Sequence, residues 1–100
     1  MIEHIVLLKF SEQTTQDQKD EALKKLVHLG NVLPGILDIQ AGYDFSGRAQ
    51  GYEAGLTVRF ESKEALQNYG PSEAHQSVIK YLDEIGTLDR LVMDFELESK

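Results

Sequence analysis

Tyr69 and His75 are the residues of this sequence best placed to handle protons together. Gly70 and Pro71, which follow Tyr69, break one helical segment, and Ser72 caps the next. This break brings Tyr69 and His75 to opposite sides of one tight turn. His75 then lies in the first turn of its helix, where partial burial and the positive helix end both disfavour the imidazolium. We expect a neutral imidazole that accepts a proton, beside a hydroxyl that orients a carbonyl or an enolate.

Such a pair needs an apolar slot for a substrate, and the sequence offers residues for its walls. They belong to the first and third strands and to the helices. The expected substrate-binding residues are His4, Val6, Leu8, Leu26, Leu56, Val58, Leu66 and Val78.

A structural role is the alternative for each polar member of this site. A histidine on an apolar helical stripe often packs and donates to a backbone carbonyl, and Tyr69 can serve as a helix-capping ring. His4 can be a satisfied core residue, while Asp94 and Glu96 suit solvated or edge positions. The three histidines lack metal-ligand spacing, so we expect no metal site.

The elements that position these residues alternate between strand and helix patterns. Thr15 opens a helix with a capping box, and Gly30 is expected to end it. Short helices are expected from Ser62 to Tyr69 and after Ser72. The predicted strands are Ile2–Phe10, Ile36–Phe45, Tyr52–Phe60 and Leu88–Leu97. This order predicts an α+β, ferredoxin-like split βαβ fold with a four-stranded antiparallel sheet.

Composition narrows the class of protein further. The chain has 100 residues, a formal net charge of −7 and no cysteine. We expect a single domain over residues 1–100. The acidic balance argues against nucleic acids and anionic membranes as partners, and the absence of cysteine excludes thiol chemistry. No targeting segment or membrane span is indicated, so we expect a cytoplasmic protein.

The first and last strands of the sequence carry apolar residues on both faces, which bears on oligomeric state. Ile5 and Leu7 alternate with the core residues of the first strand, and the last strand contains Leu91, Val92 and Met93. Helices can cover only one face of such a sheet. We therefore expect a homodimer packed sheet to sheet, burying ~1,600 Å² or more in total.

Four segments resemble the stress-responsive dimeric α/β-barrel domain family. They are HIVLLKF from His4, VLPGI from Val32, GYEAGLTVRFESKEALQNYGPSEAH from Gly51 and VMDFE from Val92. The resemblance implies two sheets forming one barrel in a dimer, and a stress-response context.

The family includes a plant polyketide cyclase, so the resemblance also implies a reaction. That enzyme has a tyrosine and a histidine matching Tyr69 and His75, which perform an aldol cyclisation without a cofactor. A strand histidine matching His4 lines its pocket. Leu26 stands where the cyclase has a pocket tyrosine. Pro71, Ser72 and Glu73 replace the His and Pro that more usually precede the residues matching Ala74 and His75.

Several functions remain open at this point. The leading one is a homodimer with a small apolar pocket that binds or converts a carbonyl-rich or aromatic metabolite. Enzyme and non-enzymatic binding protein are almost equally favoured, and a stress-protective structural dimer is a further alternative. Cofactor-free monooxygenases and haem-degrading enzymes are less favoured, since the chain has no tryptophan and no histidine clearly placed as a haem ligand.

Overall fold

The first strand, β1, spans Ile2–Phe10 and is buried at every second residue. Its buried face joins the hydrophobic core with the helices, and the intervening residues lie on the opposite face. The structure is a computed structural model that describes residues 1–98. Ser99 and Lys100 of the expected domain lie outside the described residues.

Three further strands complete an antiparallel sheet. They are β2 (Ile36–Tyr43), β3 (Ala54–Phe60) and β4 (Thr87–Glu96). The strand order is β2-β3-β1-β4, so β1 and β3 are central and β4 forms an edge beside β1. The predicted α+β, ferredoxin-like arrangement is confirmed.

The β2–β3 connection is longer than predicted, because β2 ends at Tyr43 and β3 begins at Ala54. Asp44 turns the chain by accepting hydrogen bonds from the main-chain N–H groups of Ser46 and Gly47. Phe45, expected in the strand, is fully exposed in this turn. The aromatic side chain of Phe45 therefore does not extend β2, contrary to the prediction.

The long helix α1 spans Gln16–Val32 and begins with the predicted capping box at Thr15. The prediction that Gly30 ends this helix is wrong, since two more helical residues follow. Gly30 has a packing role instead. A Cβ atom there would lie 2.6 Å from Cγ2 of Ile39, so glycine lets α1 approach β2 closely.

Two shorter helices, α2 (Lys63–Tyr69) and α3 (Glu73–Glu84), follow β3 with the predicted serine caps at Ser62 and Ser72. Together with α1 they cover one face of the sheet. Within residues 1–98, none of the helices has the length and apolar character needed to cross a membrane. The buried core consists of Ile2, Val6, Leu8, Phe10, Ala22, Leu23, Leu26, Leu29, Ala54, Leu56, Val58, Phe60, Tyr69, Val78, Leu82 and Ile85.

The opposite sheet face is apolar along β1 and β4. Ile5 pairs with Met93 across the two strands, and Leu7 pairs with Leu91. Met93 is 62% exposed and Leu91 is 52% exposed. Directly opposed residues of an antiparallel pair share a face, so these side chains form one apolar patch that no helix of residues 1–98 covers.

Candidate active site

The break between α2 and α3 places Tyr69 and His75 side by side. The hydroxyl of Ser72 donates to the carbonyl oxygen of Tyr69 at 2.7 Å and accepts from the main-chain N–H of His75 at 3.2 Å. One serine thus ties both backbones together. The centroids of the two rings lie 4.4 Å apart, with an angle of 49° between the ring planes.

The imidazole of His75 is held in one tautomer. Its Nδ1 lies 3.0 Å from the carbonyl oxygen of Gly70, which can only accept, so Nδ1 carries the hydrogen and Nε2 keeps its lone pair. The side-chain amide of Gln76 donates to the same carbonyl at 2.8 Å. The hydrogen bond from Nδ1 of His75 to Gly70 is the one expected of a packed histidine. It also leaves Nε2 able to accept a proton.

The charge state of His75 follows from its surroundings. Burial lowers the pKa of the imidazole below its ordinary value of 6.5, opposed by the hydrogen bond to Gly70 and assisted by the nearby His4 and Arg90 side chains. Because the pKa is lowered, His75 is neutral at neutral pH. The expected neutral imidazole at the start of α3 is therefore supported.

The hydroxyl of Tyr69 is buried without a partner. The residue is 4% exposed, and its Oη finds no hydrogen-bond partner among residues 1–98. Burial raises the pKa of Tyr69 to about 12, so the hydroxyl keeps its proton and can donate it in a hydrogen bond. Its ring packs edge-on against Phe60 and His4, at centroid distances of 5.0 Å and 5.8 Å.

His4 and Asp94 form a pair across β1 and β4. The two residues are directly opposed in the strand register, and Nδ1 of His4 donates to the carboxylate of Asp94. A carboxylate on Nδ1 fixes the tautomer of His4 and leaves its Nε2 available. The sequence-based assignment of Asp94 to a solvated or edge position missed this contact, although the residue is indeed exposed.

A cavity of about 330 Å³ adjoins these groups between the helices and the sheet. This volume falls in the range of small-molecule sites, which begins at about 300 Å³. Six of the eight residues expected in the wall line it. The lining residues are His4, Val6, Leu8, Leu26, Leu56, Leu66, Tyr69, Gly70, His75, Ile79, Leu82, Arg90 and Val92.

Val58 and Val78, the other two expected wall residues, do not line this cavity. Both are buried in the core, with exposures of 0% and 6%. Their periodicity correctly placed them on inward faces, but periodicity does not distinguish a cavity wall from packed core. Arg90 and Val92 of β4 line the cavity although sequence reasoning did not include them.

The arrangement offers acid–base groups at one end of an apolar chamber. Nε2 of His75 can accept a proton, and the Tyr69 hydroxyl can donate a hydrogen bond. Within residues 1–98 no group of three or more His, Cys, Asp or Glu side chains is placed to hold a metal ion. Tyr69 and His75 are thus able to move a proton and to stabilise an oxyanion.

Two known proteins are similar to this chain in sequence. Olivetolic acid cyclase from Cannabis sativa is 36% identical over 76 residues, covering 74% of this chain and 75% of the cyclase. The stress-response A/B barrel domain-containing protein HS1 from Arabidopsis thaliana is 29% identical over 98 residues, covering 95% of this chain and 88% of HS1.

A solved structure extends the comparison to three dimensions. A dimeric ferredoxin-like protein of unknown function from Jannaschia sp. CCS1 superposes with a TM-score of 0.80 at 28% identity, covering 96% of this chain and 98% of that chain. The profile of the stress responsive A/B barrel domain matches residues 2–97. The resemblance seen in the sequence is confirmed, and the chain belongs to the stress responsive A/B barrel domain family.

Proposed function

We propose that this protein is a homodimeric, cofactor-free enzyme that binds a carbonyl-rich or aromatic metabolite and closes a ring by an aldol-type step. One observation carries the proposal. The ring of Tyr69, whose buried hydroxyl has no partner among residues 1–98, lies against the neutral imidazole of His75, and both residues line an apolar cavity. A buried polar group without a partner costs free energy, which a bound carbonyl oxygen would recover.

In this proposal His75 is the general base. Its Nε2 removes a proton from a carbon between two carbonyl groups, and the electron pair moves onto a carbonyl oxygen to form an enolate. The hydrogen bond from Nδ1 to Gly70 holds the ring in the tautomer that accepts at Nε2. Positioned proton transfer of this kind accelerates reactions by about 10²–10⁴-fold.

Tyr69 then stabilises the developing negative charge. With a pKa of about 12 the hydroxyl stays protonated and donates to the enolate oxygen. The enolate carbon attacks a second carbonyl of the same molecule, one carbon–carbon bond forms, and the resulting alkoxide takes back the proton from Nε2 of His75. Protons and electrons balance without a cofactor.

His4 and the apolar walls complete the site. Nδ1 of His4 donates to Asp94, so its Nε2 can accept a hydrogen bond from a hydroxyl group of the substrate. The aliphatic side chains around the cavity restrict water, which strengthens the hydrogen bonds to the substrate. The observed Leu26 in the wall, where the related cyclase is expected to carry a tyrosine, fits a differently shaped substrate.

The homodimer in this proposal forms through the open sheet face. The patch around Ile5, Leu7, Leu91 and Met93 is apolar and uncovered within residues 1–98. The similar protein from Jannaschia sp. CCS1 is described as dimeric, which supports a second copy as the cover.

The test uses the first chemical step, which does not require the natural substrate. Exchange of the acidic C–H of a β-ketoester is followed by NMR in D2O. His75→Ala should remove the protein-dependent exchange, and Tyr69→Phe should lower it by about 10- to 10³-fold. The exposed His28 provides the matched control, since His28→Ala should leave the exchange unchanged.

A binding protein without turnover is the second candidate. The hydrogen bond from His75 to Gly70 favours it, because the same contact serves a purely packed histidine. In that case the wild-type protein binds the β-ketoester without accelerating exchange, and His75→Ala lowers only the melting temperature. This result would refute the catalytic role of His75.

A further inference from the structure

Arg90 is a cavity residue for which the proposed chemistry has no use. It lies on β4 directly opposite Leu8 of β1, on the sheet face that packs against the helices. Its side chain lines the cavity together with His75 and Val92, and the residue is exposed. Arg90 therefore stands at the open side of the cavity, on the wall next to the proton-accepting histidine.

The guanidinium of Arg90 has no acidic partner within residues 1–98. The neighbouring Asp89 accepts from the Tyr52 hydroxyl at 2.6 Å and from the main-chain N–H of Arg90. Asp94, the next acidic residue along β4, is engaged by His4. Although the chain has a net charge of −7, Arg90 is therefore a cation without an acidic partner among residues 1–98, beside an apolar chamber.

An unpaired arginine in such a place suits one kind of ligand. Its planar fork of N–H donors matches the oxygens of a carboxylate or a phosphate, and hydrogen bonds between charged groups are stronger than neutral ones. The apolar walls beside Arg90 exclude part of the water around a bound anion, so the attraction between the two charges is screened less than in open water.

We propose that Arg90 anchors an oxyanion group of the ligand at the cavity mouth while the carbonyl part of the ligand reaches Tyr69 and His75. The inference rests on the proposed function and narrows its substrate class to acidic compounds, such as aromatic or polyketide-like acids. The oxyanion belongs either to a carboxylate of the substrate or to a phosphate of a carrier attached to it.

The anchor would also make the base respond to its ligand. Burial is the main cause of the lowered pKa of His75, and the positive charge of Arg90 adds a smaller contribution because it disfavours the imidazolium. An anion bound to Arg90 offsets that smaller contribution, so the pKa of His75 rises while burial still holds it below its ordinary value. His75 then becomes a stronger base when an acidic ligand is bound.

Binding of three matched probes tests the anchor by calorimetry. They are 4-acetylbenzoate, its neutral amide and 4-acetylphenyl phosphate. The unmodified protein should bind the carboxylate about 10- to 100-fold more tightly than the amide. Arg90→Gln should abolish this preference while leaving amide binding within about two-fold, and Arg90→Lys should retain part of it. Tighter binding of the phosphate than of the carboxylate assigns the oxyanion to a carrier.

The matched control is Arg48→Gln, which removes the same charge from an exposed loop and should keep the preference. NMR titration of His75 adds a second readout, in which the carboxylate raises the pKa and the amide does not. Equal binding of both probes, no carboxylate binding at millimolar concentration, or a preference that survives Arg90→Gln would overturn the anchor. Dissociation of a dimer by Arg90→Gln would also overturn it, by placing Arg90 at the interface.

The two proposals fail in different ways. If Arg90→Gln keeps the carboxylate preference but His75→Ala abolishes exchange of the neutral β-ketoester, only the anchor is wrong. If the carboxylate preference depends on Arg90 but no exchange occurs, the anchor stands and the catalytic role of His75 is refuted.

Discussion

Replacing Tyr69 by phenylalanine should stabilise the protein while impairing its chemistry. The substitution keeps the ring packing against Phe60 and His4 and removes a buried hydroxyl that has no partner within residues 1–98. Burying an unsatisfied polar group costs about 1–3 kcal/mol. The lower end, about 1 kcal/mol, applies here because the adjoining cavity, which His4 and His75 also line, is wide enough for water. In a domain of this size that gain raises Tm by about 4–8 °C.

The assay is thermal unfolding of the ligand-free protein at one fixed concentration, with Tyr43→Phe as the matched control. The Tyr43 hydroxyl donates to Asp20 at 2.5 Å and links β2 to α1. Its loss should lower the melting temperature slightly, because the hydrogen bond is exposed to solvent. Opposite signs for the two variants are therefore expected. A decrease of Tm for Tyr69→Phe would refute the reasoning, because it would mean that the hydroxyl already has a stabilising partner in the ligand-free protein.

Three further predictions concern pH, assembly and packing. The pKa of His75 is lower in the folded protein than in the unfolded chain, so the unfolded chain binds the proton first as the pH falls. The stability that neutral His75 contributes is therefore complete above pH 6.5 and is lost as the pH falls through the folded pKa. Urea midpoints from pH 7.5 to 5 should show a weaker decline for His75→Gln than for the unmodified chain, and parallel declines would contradict this. Leu7→Asp should give monomers or insoluble protein, because it buries a charge in the apolar patch; a stable monomer of the unmodified chain in sedimentation would rule out the dimer. Gly30→Ala should cost about 1–3 kcal/mol in chemical denaturation by clashing with Ile39, and the cost should vanish in an Ile39→Ala background.

Much of the fold was predictable because local signals agreed with the tertiary arrangement. Alternating apolar residues defined β1, and side-chain caps at Thr15, Ser62 and Ser72 marked the starts of all three helices. The juxtaposition of Tyr69 and His75 was equally local, since it depends on a helix break of only a few residues. Gly30 was misjudged because a glycine that ends a helix and one that admits a neighbouring strand look the same in sequence.

The contribution of β4 to the site was not predictable. Arg90, Val92 and Asp94 reach the cavity side only because β4 pairs with β1 in one particular register. The apolar residues of β4 occupy both faces, so its alternation did not reveal which residues point inward. A one-residue shift of the pairing would have exchanged Val92 for Leu91 or Met93. The inward face of β4 is therefore determined by its pairing with β1 and not by the sequence of β4 itself.

The short connection between α2 and α3 has a consequence for how this fold can change over evolutionary time. Ser72 joins the backbones of Tyr69 and His75, and Gly70 fixes the imidazole, so the proposed reacting pair is assembled within seven consecutive residues. The other residues that line the chamber lie outside this segment, on β1, β3 and β4, on α1 and on the remaining turns of α2 and α3. Substitutions in those walls can alter which molecule fits without dismantling the pair, whereas a change at Ser72 disturbs both partners at once. The residues that select the ligand can therefore vary while the residues of the proposed reacting pair are kept.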